Sequence, residues 1–180
     1  MRKAGGIYNA GTLSLTNTTV SNNSADDAIQ ERDSSSGGGL FNASGSFLTL
    51  TNSKVNNNSA GPIVNVVGGG FNSNGYGGGI YNQVTMTLIN SIISNNRANG
   101  SQGFTTAGNA AGGGIYGNEF DITGSTISGN TSSAAKSFGG GIYGNGNIIS
   151  SAIINNTASS GGGEFERYKK KRPVKAASEV

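Results

Sequence analysis

The chain of 180 residues has no cysteine, no histidine and no tryptophan, and only 2 prolines. Without cysteine there is neither a disulfide framework nor a thiolate metal site, and without histidine there is no imidazole to act as a general base or ligand near neutral pH. Several enzyme classes are excluded at once, and no cofactor is expected. Charge is also scarce, at 12% of the chain. No apolar run reaches the length that spans a bilayer, and the opening Met1-Arg2-Lys3-Ala4-Gly5-Gly6-Ile7 has no apolar signal region. Hydrophobic residues make up 33%, too few for a thick layered core but enough for a thin one repeated along an axis.

The few charges are unevenly placed. Residues 1–163 carry six basic and six acidic side chains, whereas 164–180 carry six basic and three acidic, so the net charge of +3 belongs to the tail. A neutral body of this kind is not a nucleic-acid surface, and no nucleic-acid partner is expected.

Glycine is abundant, 32 residues in all, and it is clustered in register. Aligning on the residue after each cluster gives Ile7, Leu40, Ile80, Ile115 and Ile142, each followed by an aromatic: Tyr8, Phe41, Tyr81, Tyr116 and Tyr143. Alternating runs follow, such as Leu13-Ser14-Leu15-Thr16, Leu48-Thr49-Leu50-Thr51 and Phe120-Asp121-Ile122-Thr123. Each unit closes with Val20, Val55, Ile93, Ile127 or Ile153 three residues ahead of Asn23, Asn58, Asn96, Asn130 or Asn156. A period of two means strands, and the shortest interval, Gly139 to Gly161, is 22 residues. About three short strands and three corners in that length predict an all-β fold, a right-handed parallel β-helix of about five coils over residues 1–163.

Inward aliphatics should stack as columns, with Ile115 between Ile80 and Ile142. The closing asparagines, and Asn17, Asn52 and Asn90 after the second strand, suit stacked amide bonding and left-handed turns. The aromatic column at Tyr8, Phe41, Tyr81, Tyr116 and Tyr143 should face outward. It is the candidate surface column, either a platform for sugars or a packing surface that shields the strand. Intervals 24–36, 59–76, 97–111, 131–138 and 157–160 all follow a closing asparagine and read as loop insertions at one corner, a face that in repeat proteins often binds a partner. At 164–180 the pattern collapses: Glu164 takes an aliphatic position ahead of Lys169-Lys170-Lys171-Arg172, and the segment reads as a charged, disordered tail.

At Gly78-Gly79-Ile80, Gly113-Gly114-Ile115 and Gly140-Gly141-Ile142, and at Val20-X-X-Asn23 and its four counterparts, the repeat resembles right-handed parallel β-helix surface proteins. The nearest pattern is that of polymorphic outer-membrane proteins and autotransporter adhesins, with Gly in place of Ala and an aliphatic in place of Phe. The resemblance covers about residues 4–163. It implies a secreted or cell-surface module, structural or adhesive, in an extracellular or outer-membrane setting, with surface glycans or host-surface proteins as partners. Since neither a cap nor an export signal precedes the first repeat, a piece of a longer protein is expected, with uncapped coil ends able to self-associate.

The alternative is a polysaccharide lyase or hydrolase on the same scaffold, which needs clustered carboxylates. Its candidates are Asp26, Asp27, Glu31 and Asp33 in the first insertion, and Glu119 with Asp121 in the fourth unit. A flat ice-binding threonine array is begun by Ser14/Thr16 and Thr49/Thr51 but broken at Ile89, Asp121, Asn147 and Ile149.

Overall fold

The computed structural model describes residues 2–26, 34–62, 73–101 and 108–158, and among them every regular element is a strand. The first coil comprises β1 (Arg2–Lys3), β2 (Ile7–Asn9), β3 (Thr12–Thr16), β4 (Thr19–Ser21) and β5 (Ser24–Ala25). The second repeats this as β6 (Ser34–Ser36), β7 (Leu40–Asn42), β8 (Phe47–Thr51), β9 (Lys54–Asn56) and β10 (Ser59–Ala60). The third contains β11 (Asn74–Tyr76), β12 (Ile80–Asn82), β13 (Met86–Ile89), β14 (Ile92–Ser94) and β15 (Arg97–Asn99). In the fourth the second and third strands fuse, giving β16 (Asn109–Ala111), β17 (Ile115–Thr123), β18 (Thr126–Ser128) and β19 (Thr131–Ser133). The fifth follows that pattern with β20 (Lys136–Phe138), β21 (Ile142–Ile149), β22 (Ala152–Ile154) and β23 (Thr157–Ala158).

Each strand pairs in parallel with its counterpart one coil away, so the coils stack into four sheets and a right-handed parallel β-helix about 24 Å long. The entry sheet is β1-β6-β11-β16-β20 and the exit sheet β5-β10-β15-β19-β23. The back sheet is β4-β9-β14-β18-β22. The broad sheet holds β2, β7 and β12 beside β3, β8 and β13, all merging into β17 and β21.

The main core lies between the broad and back sheets. Leu40, Ile80, Ile115 and Ile142 form one column, with Ile115 paired to Ile80 and Ile142 and wholly buried. Further columns pass through Leu48, Met86 and Phe120, through Leu50, Leu88 and Ile122, and through Val55, Ile93 and Ile127. Each such side chain contributes about 2 kcal/mol by leaving water.

The sequence reading of three strands per coil requires correction, because the entry and exit sheets add two more. Interval 131–138 is not an insertion at all: β19 and β20 are joined by Ala134-Ala135. Between these two sheets the interior is a thin ridge filled by Ala60, Ala98, Ser132, Ser35, Gly75 and Ala110. A Cβ added at Gly75 would lie 2.1 Å from the Asn99 carbonyl oxygen and 2.4 Å from that of Ala60. Side chains this small carry no hydrophobic alternation, so pattern reading passes over them. The remaining insertions, over 27–33, 63–72 and 102–107, lie outside the described residues, as do 159–180 with the tail. Their flanking strands put all three departures on one edge of the ridge.

The corners explain the repeat's vocabulary. Asn17, Asn52, Asn90, Gly124 and Ser150 share a positive φ between 49° and 59°, where the broad sheet turns into the back sheet. Asn22, Asn57, Asn95, Gly129 and Asn155 likewise have positive φ, between 55° and 64°, at the next corner. The closing asparagines beside them have a different task. Asn23, Asn58, Asn96 and Asn130 each donate from Nδ2 and from the backbone N–H to the Oδ1 of the asparagine one coil on, at 2.9–3.0 Å. The last glycine of each cluster makes room for this ladder: a Cβ at Gly39 or Gly79 would meet the amide of Asn58 or Asn96 at 2.9 Å. Glycine and asparagine positions that look independent in the sequence are thus one joint.

Candidate functional site

The aromatic column stands on the outer face of the broad sheet, because in β12 Ile80 and Asn82 point inward and leave Tyr81 outward. Its rings are stacked along the axis. Centroids are 5.3 Å apart for Tyr8–Phe41, 4.9 Å for Phe41–Tyr81 and for Tyr81–Tyr116, and 5.3 Å for Tyr116–Tyr143, with interplanar angles from 7° to 21°. Side chains of the entry sheet lean onto this column. Lys3 Nζ lies 5.3 Å from the Phe41 centroid, Tyr76 tilts against Tyr116 at 5.1 Å, and Phe138 tilts against Tyr143 at 5.8 Å. Phe41 is wholly buried, Tyr81, Tyr116 and Tyr143 are half-buried, and Tyr8 is 51% exposed.

Chemically, this elbow offers ring edges and phenol oxygens, since most ring faces are occupied by neighbouring rings. Burial pushes the phenols of Tyr76 and Tyr116 above their usual pKa; for Tyr116 the tyrosines at 81, 143 and 76 add to the rise, while for Tyr76 a hydrogen bond with Asn109 opposes it. The column's register is legible in the repeat. Its companions Lys3, Tyr76 and Phe138 are not, because they belong to the entry sheet, two of them within intervals that read as insertions.

A second region lies on the outer face of the exit sheet, beside the edge from which the insertions depart. Strand alternation points Ser24, Ser59, Arg97, Thr131 and Thr157 outward in one column, with Asp26, Asn99 and Ser133 in the next. An open groove of about 450 Å³ runs along them, lined by Ser24, Asp26, Ser59, Arg97, Asn99 and Ser133 among others. Within it Arg97 Nε donates to Asn99 Oδ1, and Ser24 Oγ donates to Asp26 Oδ1. Sequence reasoning did not single out Arg97. The available signal was its place as the one cation in a column of hydroxyls, visible only once the exit sheet is known.

The carboxylates considered for catalysis are dispersed. Asp26 lies at the exit sheet, whereas Glu119 and Asp121 are exposed on β17 of the broad sheet. Glu119 has φ 55° where the pairing of β17 with β21 shifts register, and Asp121 Oδ1 accepts from Asn147 Nδ2 at 2.7 Å. Asp27, Glu31 and Asp33 lie outside the described residues. Among the described residues no three of Asp, Glu, His and Cys stand close enough together to hold a metal ion. On the outer face of the broad sheet the hydroxyl columns of Ser14 and Thr16 run into Asp121 and Asn147 and into Ile89 and Ile149, so there is no continuous flat array.

Comparison of the chain with protein-family models, with curated proteins and with solved structures finds no match in any of the three.

Proposed function

We propose that this chain is a structural and adhesive module of a secreted or cell-surface β-helix protein, resembling the polymorphic outer-membrane and autotransporter adhesins, and that it binds through the ridge edge. The observation that supports this reading is positional. Three insertions depart between β5 and β6, β10 and β11, and β15 and β16, all on one edge, while the fourth coil crosses the same edge with only Ala134-Ala135. The fold therefore does not need the extra residues, and the groove runs beside the place where they leave. Surface glycans and host-surface proteins are the partners such an edge would meet.

The test is to replace each of the three insertions by a two-residue Ala-Ala connection copied from the fourth coil. Circular dichroism and thermal unfolding should remain those of the parent, while retention on a glycan panel and on host-cell surfaces should be lost. Undiminished retention by the shortened protein would remove the edge from consideration. Release of reducing sugar or unsaturated product, abolished by Glu119→Gln with Asp121→Asn, would instead favour a polysaccharide hydrolase or lyase.

A further inference from the structure

We infer that the groove on the exit sheet binds a linear acidic glycan laid along the solenoid axis, with a uronate-type carboxylate held by Arg97. This rests on the ridge edge being the binding surface and names the ligand it takes. Arg97 is the one cation in the outward column of Ser24, Ser59, Thr131 and Thr157, and no carboxylate among the described residues pairs with it. Its Nε is engaged by Asn99 Oδ1, which sets the guanidinium plane and leaves the two terminal amino groups as a fork. Two parallel donors in one plane match the two oxygens of a carboxylate.

The remaining wall suits sugar hydroxyls. Ser24, Ser59 and Ser133 can each accept and donate, Ser24 and Ser59 standing one coil apart at about 4.8 Å, comparable to the length of one sugar ring, and Ser133 two coils beyond Ser59. The lining runs from Asp26 in the first coil to Ser133 in the fourth, about 14 Å along the axis, so a linear chain of several sugars fits lengthwise. Asp26 accepts hydroxyl protons at one end and repels an acid there, which places the ligand's acidic group toward Arg97. An extended peptide fits less well. β10, β15 and β19 are each already paired on both sides, so a peptide lying along the groove meets no free edge at these three strands, and Pro62 is the only aliphatic side chain among the lining residues described.

The experiment measures binding of a linear oligogalacturonate, of the same oligosaccharide with its carboxylates methyl-esterified, and of poly-glutamate. The proteins are the parent, Arg97→Gln, the loop-shortened protein, and Lys54→Gln as a cation control on the back sheet. Loss of one charge-assisted contact is about tenfold in affinity. The parent should bind the oligouronate, with affinity falling as salt rises, and its methyl ester about tenfold more weakly. Arg97→Gln should lose the same factor with unchanged thermal unfolding, and Lys54→Gln should lose nothing. Equal binding of acid and ester, or an Arg97→Gln protein as tight as the parent, overturns the site. Poly-glutamate binding as well as the oligouronate overturns the glycan assignment. If the oligouronate is ignored but host-cell surfaces are held in a loop-dependent way, this inference fails and the edge reading stands. If the parent retains none of these surfaces or probes, both fail.

Discussion

Two interiors run side by side along this solenoid, and they are built on opposite plans. The lobe between the broad and back sheets is filled by large aliphatic columns such as Leu40-Ile80-Ile115-Ile142, and burial from water holds it together. The ridge between the entry and exit sheets has almost no side-chain volume: Ala60, Ala98, Gly75 and Ala110 let two layers of backbone approach until only hydrogen or methyl fits between them. The lobe is specified by what it contains, and the ridge by what it excludes. Parallel backbone pairing is common to both, so the same ladder accommodates a fat core and a thin one in a single coil.

The sharpest way to break the comparison is to put a charge in the lobe. Ile115→Asp removes about 2 kcal/mol of burial and strands a carboxylate among aliphatics, for a total of roughly 5 kcal/mol. Thr87→Ser, on the outer face, should be nearly silent. Denaturant titration of the two variants checks this, and similar midpoints would refute the register.

Next comes size. Gly75→Val should cost about 3 kcal/mol because the new side chain meets backbone oxygens that cannot move aside. In the lobe, Val55→Ile merely gives its column, which continues through Ile93 and Ile127, one more isoleucine and should cost under about 1.5 kcal/mol. If calorimetry ranked the two substitutions the other way, the ridge would not be size-limited.

The smallest effect has the opposite sign. Ser132 is fully buried in the ridge and its Oγ has no hydrogen-bond partner, while its neighbours one coil to either side are Ala98 and Ala158. Ser132→Ala should stabilise by about 1 kcal/mol, a modest rise in melting temperature. A fall would mean that the hydroxyl has a role in the ridge that the packing does not reveal.

This contrast also explains what could be read in advance. Leu13-Ser14-Leu15-Thr16 and its counterparts announce strands because large and polar side chains alternate; Ser34-Ser35-Ser36 and Asn109-Ala110-Ala111 are strands too, but nothing in their side chains alternates in hydrophobicity. The lobe was therefore legible and the ridge was not. The same holds for the candidate sites. Tyr81 and its stacked neighbours repeat in the sequence, whereas Tyr76 reaches them from a strand that looks like a loop, and Arg97 acquires its setting only when the exit sheet is drawn. The division of labour at the corners was also hidden. The left-handed turn falls on Asn22, Asn57 and Asn95, and the amide ladder on Asn23, Asn58 and Asn96, a separation by one residue that composition cannot express.

That ladder has an arrow. From amide to amide, Asn23, Asn58, Asn96 and Asn130 all donate toward the later coil, while the Nδ2 of Asn58, Asn96, Asn130 and Asn156 also reaches back to the Val20, Val55, Ile93 and Ile127 carbonyl oxygens of the coil before, and each glycine gap is cut to the amide beside it. A coil is consequently an interchangeable unit: duplicating or excising one whole turn would leave donors facing acceptors, while a single residue added inside a strand would reverse the side chains after it in that strand unless a bulge absorbs it, as Glu119 is absorbed in β17. Molecular length can thus change in steps of about 4.8 Å without retuning the core. Genetic drift in this protein would be tolerated as whole turns gained or lost, or as extra residues at the one edge where the chain already leaves the stack.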